Sequence, residues 1–191
     1  MKKIVIGITG ASGSIYAKRL IEELLKNDIA IYVICTENGR RVMKFETNID
    51  IVEWIETLKK TSNNIQLEDI NNMFSGVASG SFNFDSMIIL PCSMGTLAEI
   101  STGLAKNLLC RAADVALKEN RRLIIVPREA PFNAIHLENM LKLSRLGVTI
   151  LPAMPGFYHI PKTMEDLIDF VVGKILDSLS IKNTLFKKWG D

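Results

Sequence analysis

Five short aliphatic runs, too brief for helices and too continuously apolar for half-exposed strands, constrain the fold more than any other feature. They lie at residues 3–9 (KIVIGIT), 29–35, 86–90 (SMIIL), 122–126 and 148–151, the last three ending at a proline. Strands apolar on both sides belong to a parallel sheet covered by helices on each face. The intervening segments agree. Residues 14–27 place Ile15, Leu20, Ile21, Leu24 and Leu25 at helical spacing, and helices are also expected around 38–46, 50–60 and 107–119. The pattern predicts one doubly wound, Rossmann-like or flavodoxin-like α/β domain over 1–191, with its ligand site beyond the carboxyl ends of the strands. Residues 71–84 (NNMFSGVASGSFNF) form the one long irregular stretch, and loops of that length are commonly functional.

Composition adds one constraint. The chain is 48% hydrophobic with a mean hydropathy of +0.19, yet no apolar run approaches the ~18 residues of a membrane helix. The N-terminal run breaks at Gly7, too early for a secretory signal. Surplus apolar surface is therefore expected in subunit contacts or an apolar ligand pocket. Thr163-x-x-Asp166 caps an expected helix running to about 179. That helix is apolar nearly all round, which in so short a chain suggests a neighbouring subunit. Lys and Arg (23) nearly balance Asp and Glu (21) without a basic block, so nucleic acid is not indicated. Cys35, Cys92 and Cys110 are far apart, and only His136 and His159 could join them at a metal. A reduced, cytoplasmic protein without a metal is the expectation.

Chemistry is expected at the strand exits. The first passes through Gly7, Gly10 and Gly13 with Ser12 between, small residues that let the backbone approach a phosphate or ring before a helix start. A tight turn alone would also favour glycine. Pro91-Cys92-Ser93-Met94-Gly95-Thr96 leaves the third strand, with Ser93 or Thr96 placed to cap a helix or hold a cofactor. Arg111, Asp114 and Lys118 share one helix face, as a solvated charge ladder or as a cationic wall. Pro127-Arg128-Glu129 sets a pairable charge beside a proton-transfer carboxylate, and Pro131 suits the first turn of the next helix. Phe157, Tyr158 and His159 follow the last strand as packing or as a ligand wall. The chain contains no paired-aspartate DDxxD run, so a phosphate ester would be gripped by Arg, Lys, Tyr and helix ends.

Together, GITGASGSIY, VMKFET, ASGSF, PCSMGTLAEIS, the block from NLLCRAADVALKENRR through VPREAPFNAIHLENM to MPGFYHIPKT, and the terminal KKWG resemble the UbiX family of flavin prenyltransferases over nearly the whole chain. The resemblance implies the fold of flavin-dependent cysteine decarboxylases, a homododecamer with sites at subunit junctions, and residues from about 180 onward packing on a neighbour. It implies transfer of a dimethylallyl group from dimethylallyl monophosphate to N5 and C6 of reduced FMN, giving the prenylated flavin used by UbiD-type decarboxylases. Carried over, FMN contacts fall on Gly10, Ala11, Ser12, Thr36, Ser93, Met94, Gly95, Thr96 and Arg128. The allylic phosphate falls to Lys118, Arg128, Tyr158 and Lys174, and proton handling to Glu129, Glu46 and Ser12. Trp189 is an aromatic candidate for shielding the cation, and Arg111 belongs to the same motif block. Lys174 departs from the arginine of several relatives, which keeps the charge but loses the bidentate fork. The rivals are an FMN carrier or accessory subunit and a cysteine decarboxylase. The latter's PxMNxxM-type loop is replaced here by PREAPFN.

Overall fold

The carboxyl ends of two adjacent strands that lead in opposite directions across a sheet position everything that follows. The computed structural model describes residues 1–190. It opens with β1 (Lys2–Ile8), α1 (Ser14–Leu24), β2 (Ile29–Cys35), α2 (Glu37–Thr47), α3 (Ile51–Lys59) and β3 (Ile65–Glu68). The chain continues through β4 (Ser86–Cys92), α4 (Met94–Ser101), α5 (Leu108–Lys118) and β5 (Arg122–Pro127). It ends with α6 (Ala134–Arg145), β6 (Thr149–Ile150) and α7 (Met164–Ser178). All six strands are parallel, in the order β3-β2-β1-β4-β5-β6. The chain winds outward from β1 to β3, then crosses to β4 and winds the other way. The gap beyond β1 and β4 is thus the topological switch point, where doubly wound sheets bind ligands.

Alternation along β1 divides the interior. Ile4, Ile6 and Ile8 pack with α1, α3 and α7 on one face. Val5 joins β4 and α4, α5 and α6 on the other. Helix α7 has the expected capping box, with Thr163 and Asp166 exchanging hydrogen bonds. Its all-round apolar surface is covered largely from within the chain: α1 packs on one side, and Phe186 of the C-terminal tail on another. Surplus apolar surface emerges elsewhere, at Phe45, Phe74, Ile135, Leu146, Phe157 and Ile160, all exposed. Among the described residues no helix is long and apolar enough to cross a membrane.

Three details differ from the sequence reading. β3 falls in a passage read as polar, because this four-residue edge strand buries only Ile65. Pro131 does not begin a helix; α6 starts at Ala134, with Asn133 as cap accepting from the His136 N–H. The stretch 71–84 is held firmly in part: Arg121 donates to the carbonyls of Phe82 (2.7 Å) and Gly80 (2.5 Å).

Gly39 shows how tightly the switch point is packed. A Cβ there would lie 2.8 Å from the Ile8 carbonyl and 3.0 Å from the Cys35 sulfur. Gly39→Ala is expected to lower stability by about 1–3 kcal/mol, since the obstructing oxygen is backbone and cannot rotate away. Urea unfolding monitored by circular dichroism measures it.

Candidate active site at the sheet switch point

A buried threonine fastens the two strand exits together. Thr9 Oγ1 donates to the Pro91 carbonyl and accepts from the Ser93 N–H, both at 2.8 Å. Backbone bonds extend the tie, from Thr36 N to Ile8 O (2.9 Å) and from Arg128 N to Cys92 O (3.3 Å). Four loops thereby share one frame.

Two cavities open on that frame. The first, of about 420 Å³, is lined by Gly10, Thr36, Glu37, Asn38, Ser93, Gly95, Thr96 and Glu99. Two helix starts converge here. Thr36 caps α2, accepting from Gly39 N at 3.0 Å, and Ser93 caps α4, accepting from Thr96 N at 3.4 Å. Gly10 permits the close approach, because a Cβ would fall 2.6 Å from that of Asn38. At Gly95, among the described residues, no atom lies within 4 Å of where a Cβ would sit. Ala11 and Met94 are buried, so Met94, whose side chain fills the second core, offers a ligand its backbone. Free N–H groups, hydroxyls and a side-chain-free approach suit a flavin mononucleotide, whose phosphate needs donors and whose ring needs flat access.

The second cavity, of about 490 Å³, is lined by Ser12, Tyr16, Glu46, Ile49, Arg128 and Ala153. Helix α1 is preceded by Gly13, whose φ of 112° and lack of side chain leave the helix start without a local cap. Glu46, from the end of α2, supplies it. Its carboxylate accepts from Gly13 N (3.0 Å) and Ser14 N (2.9 Å). Burial alone would raise its pKa, but hydrogen bonds from Ser12 and from the Gly13 and Ser14 backbone hold it below the ordinary value. Glu46 is therefore held as an anion, and the same hydrogen bonds make it a weaker base than an ordinary glutamate. Arg128 Nε donates to the Ser12 carbonyl at 3.2 Å, which brings the guanidinium to the same cavity.

Because its folded pKa is depressed, Glu46 stabilises the fold fully above the ordinary glutamate value of 4.5, and that contribution disappears as pH falls through the folded value. Glu46→Gln is expected to melt below the wild type at neutral pH, with the gap narrowing as pH drops below 4.5. Thermal melts across pH test this; a constant gap contradicts it.

Comparison with known proteins decides between the chemistries this frame allows. A family model described as Flavoprotein matches residues 1–176. The flavin prenyltransferase UbiX of Halalkalibacterium halodurans is 51% identical over 192 residues, covering 97% of this chain and 92% of that protein. That of Methanocaldococcus jannaschii is 50% identical, covering 98% of each. The chain belongs to the UbiX family of flavin prenyltransferases. A crystal structure of AnUbiX (PadA1) in complex with FMN and dimethylallyl pyrophosphate matches with a TM-score of 0.92 at 36% identity, covering 100% of this chain and 98% of that one. A dodecameric FMN-dependent UbiX-like decarboxylase from Escherichia coli O157:H7 matches at 0.91 and 36%, covering 99% and 100%. The peptidyl-cysteine decarboxylase EpiD, at 19% identity and 0.59, shares the fold alone.

In this UbiX family member the remaining candidate residues divide into two groups. Glu129 directly follows Arg128 and is held only locally, accepting from Ala130 N at 3.0 Å. Tyr158, 42% exposed, stands edge-on between Phe170 (5.5 Å between ring centres) and Trp189 (5.3 Å). Lys174 is exposed one turn beyond Phe170 on α7. Lys118 lies apart. It ends α5, pairs with Glu119 at 2.6 Å and sits beside Gly80, near the amino ends of β4 and β5. Arg111 is engaged with Asp114 (2.6 Å) and the Ala78 carbonyl (3.0 Å). One chain thus gathers Ser12, Glu46 and Arg128, and leaves Lys118 at the opposite sheet edge. Sequence reasoning missed Thr9, which reads as one more strand residue; its place between Gly7 and Gly10 was the available signal.

Proposed function

We propose that this chain transfers the dimethylallyl group of dimethylallyl monophosphate to N5 and C6 of reduced FMN, and passes the prenylated flavin to a UbiD-type decarboxylase. The observation carrying this is the pair of adjoining cavities at the switch point. One is built from converging helix starts and small residues, the other from Arg128, Glu46 and an apolar wall. They occur in a chain half identical to flavin prenyltransferases along its length.

Reduced FMN, when bound, supplies the nucleophilic ring atoms and an electron-rich face. Everything else falls to the protein. Gly10, Ala11, Ser12, Thr36 and the Ser93–Thr96 turn hold the flavin through backbone N–H groups and hydroxyls. Arg128 would contact flavin and phosphate alike, and with Tyr158 and Lys174 would offset charge developing on the departing phosphate. Carbocation character in the allyl group needs an aromatic, water-poor surround, which Tyr158 and Trp189 provide in part. Glu46 remains a carboxylate, and Glu129, with fewer restraints, moves the proton needed to close the new ring. Lys118 serves the site of a neighbouring copy, so the active site is completed in a homododecamer. Support comes from its place before the amino end of β5, whereas Arg128 follows the carboxyl end of that strand, and from exposed apolar side chains such as Phe45 and Ile135. A reduced, cytoplasmic setting belongs to the same reading, supported by Cys35, Cys92 and Cys110 standing as buried free thiols.

The test is functional handover. Reduced FMN and dimethylallyl monophosphate incubated anaerobically with this protein should activate an apo UbiD-type decarboxylase. Activation no greater than with FMN alone would refute the proposal.

A further inference from the structure

The C-terminal tail is seated on α7 through a notch that only glycine permits. At Gly173 a Cβ would lie 2.6 Å from two carbons of the Phe186 ring and 3.0 Å from Asn183 Oδ1. Phe186 fills that notch, is 9% exposed, and meets Phe170 at 5.0 Å and His159 at 6.3 Å between ring centres. His159 stacks on Phe170 at 5.1 Å and 10°, and among the described residues its ring nitrogens find no hydrogen-bond partner, so ring contact holds it. Polar bonds align the tail: Asn183 Nδ2 to Asp177 (3.0 Å), Lys188 Nζ to Asp177 (3.1 Å) and Ile181 N to Leu176 O (2.9 Å).

Three residues past this anchor the tail presents Trp189, 81% exposed, edge-on to Tyr158. Tyr158 is therefore bounded by one ring fixed in α7 and one ring carried on the tail. An indole that exposed adds little to the stability of the chain, so its placement matters most for whatever Tyr158 faces.

We propose that Phe186 in the Gly173 notch is a positioning latch, holding Trp189 against Tyr158 and so fixing the tyrosine ring for the allylic phosphate ester. Phe186 lines neither switch-point cavity; it acts through Trp189 and Tyr158. The reading of Tyr158 as a substrate residue rests on the proposed function, whereas the latch itself can be read without turnover.

The chain has two tryptophans, so in a Trp54→Phe background Trp189 is the sole indole. In that background Phe186→Ala should free the tail and lower the fluorescence anisotropy of Trp189, whose ring is held in place rather than shielded from water, with Phe186→Leu restoring most of the difference. In the assembled enzyme Phe186→Ala should lower kcat/KM for dimethylallyl monophosphate by about 10- to 100-fold, mainly through kcat, with FMN affinity retained. Once Trp189→Ala is present, adding Phe186→Ala should cost nothing further. Gly173→Ala, which crowds the same ring, should reproduce the loss of anisotropy should Phe186→Ala fail to fold. Unchanged Trp189 anisotropy in both variants, or equal losses in kcat and FMN affinity, would overturn the latch. A protein without transferase activity whose Trp189 anisotropy changes as predicted would instead refute the function while sustaining the latch.

Discussion

Glu129→Gln is expected to bind FMN like the wild type and to slow closure of the new ring by roughly 10²- to 10⁴-fold, the usual contribution of a positioned proton-transfer group. The β5 exit places Glu129 immediately after Arg128, whose guanidinium borders the Ser12–Glu46 cavity. The other nearby carboxylate, Glu46, is committed to the start of α1 by two backbone N–H groups and held ionised. Glu129 accepts one local bond, from Ala130 N, and among the described residues has no other partner. Glutamine preserves size and hydrogen bonding but removes proton exchange. Single-turnover flavin spectra report the step; a wild-type rate in the variant would transfer the role to another group, the departing phosphate first.

Arg128→Ala should be comparably severe, lowering kcat by about 10²- to 10³-fold, as loss of one preorganised stabiliser of developing charge does elsewhere. Its side chain is oriented by the Ser12 carbonyl at 3.2 Å and its backbone by Cys92 at 3.3 Å, so the loop remains in place when the guanidinium is removed. Arg128→Lys should recover only part of the loss, because an ammonium lacks the planar fork that bridges a phosphate and a second acceptor. Steady-state formation of prenylated flavin measures both variants. A loss within threefold for Arg128→Ala would remove Arg128 from the phosphate grip.

Much of this arrangement was legible in the sequence because its causes are local. Ile4, Ile6 and Ile8 alternate with Val5 in a run without polar residues, which only a doubly covered strand accommodates. The α7 capping box follows from Thr163 and Asp166 at their spacing. The proximity of Gly10, Ser93 and Arg128 followed from strand exits sharing one sheet edge. What sequence did not convey depends on tertiary context. β3 has one buried residue and no periodicity long enough to register. Thr9 acquires its role only through Pro91 and Ser93, some 82 and 84 residues away. The resemblance marks Glu46 for proton handling, but its capping of α1 emerges only because Gly13 leaves that helix start without a cap. The surplus of apolar residues foresaw extra burial but not its division between a tail seated on α7 and exposed patches such as Phe74 and Phe157. Nor does motif order reveal that Lys118 lies at the far edge of its own sheet.

The central claim is that the switch-point cavities alkylate a flavin rather than merely carry it. Mass spectrometry of flavin released after anaerobic incubation with reduced FMN and dimethylallyl monophosphate tests this most directly. The account predicts FMN heavier by one dimethylallyl unit, absent without protein and strongly diminished with Arg128→Ala. Unmodified FMN recovered from folded, flavin-loaded protein would contradict it.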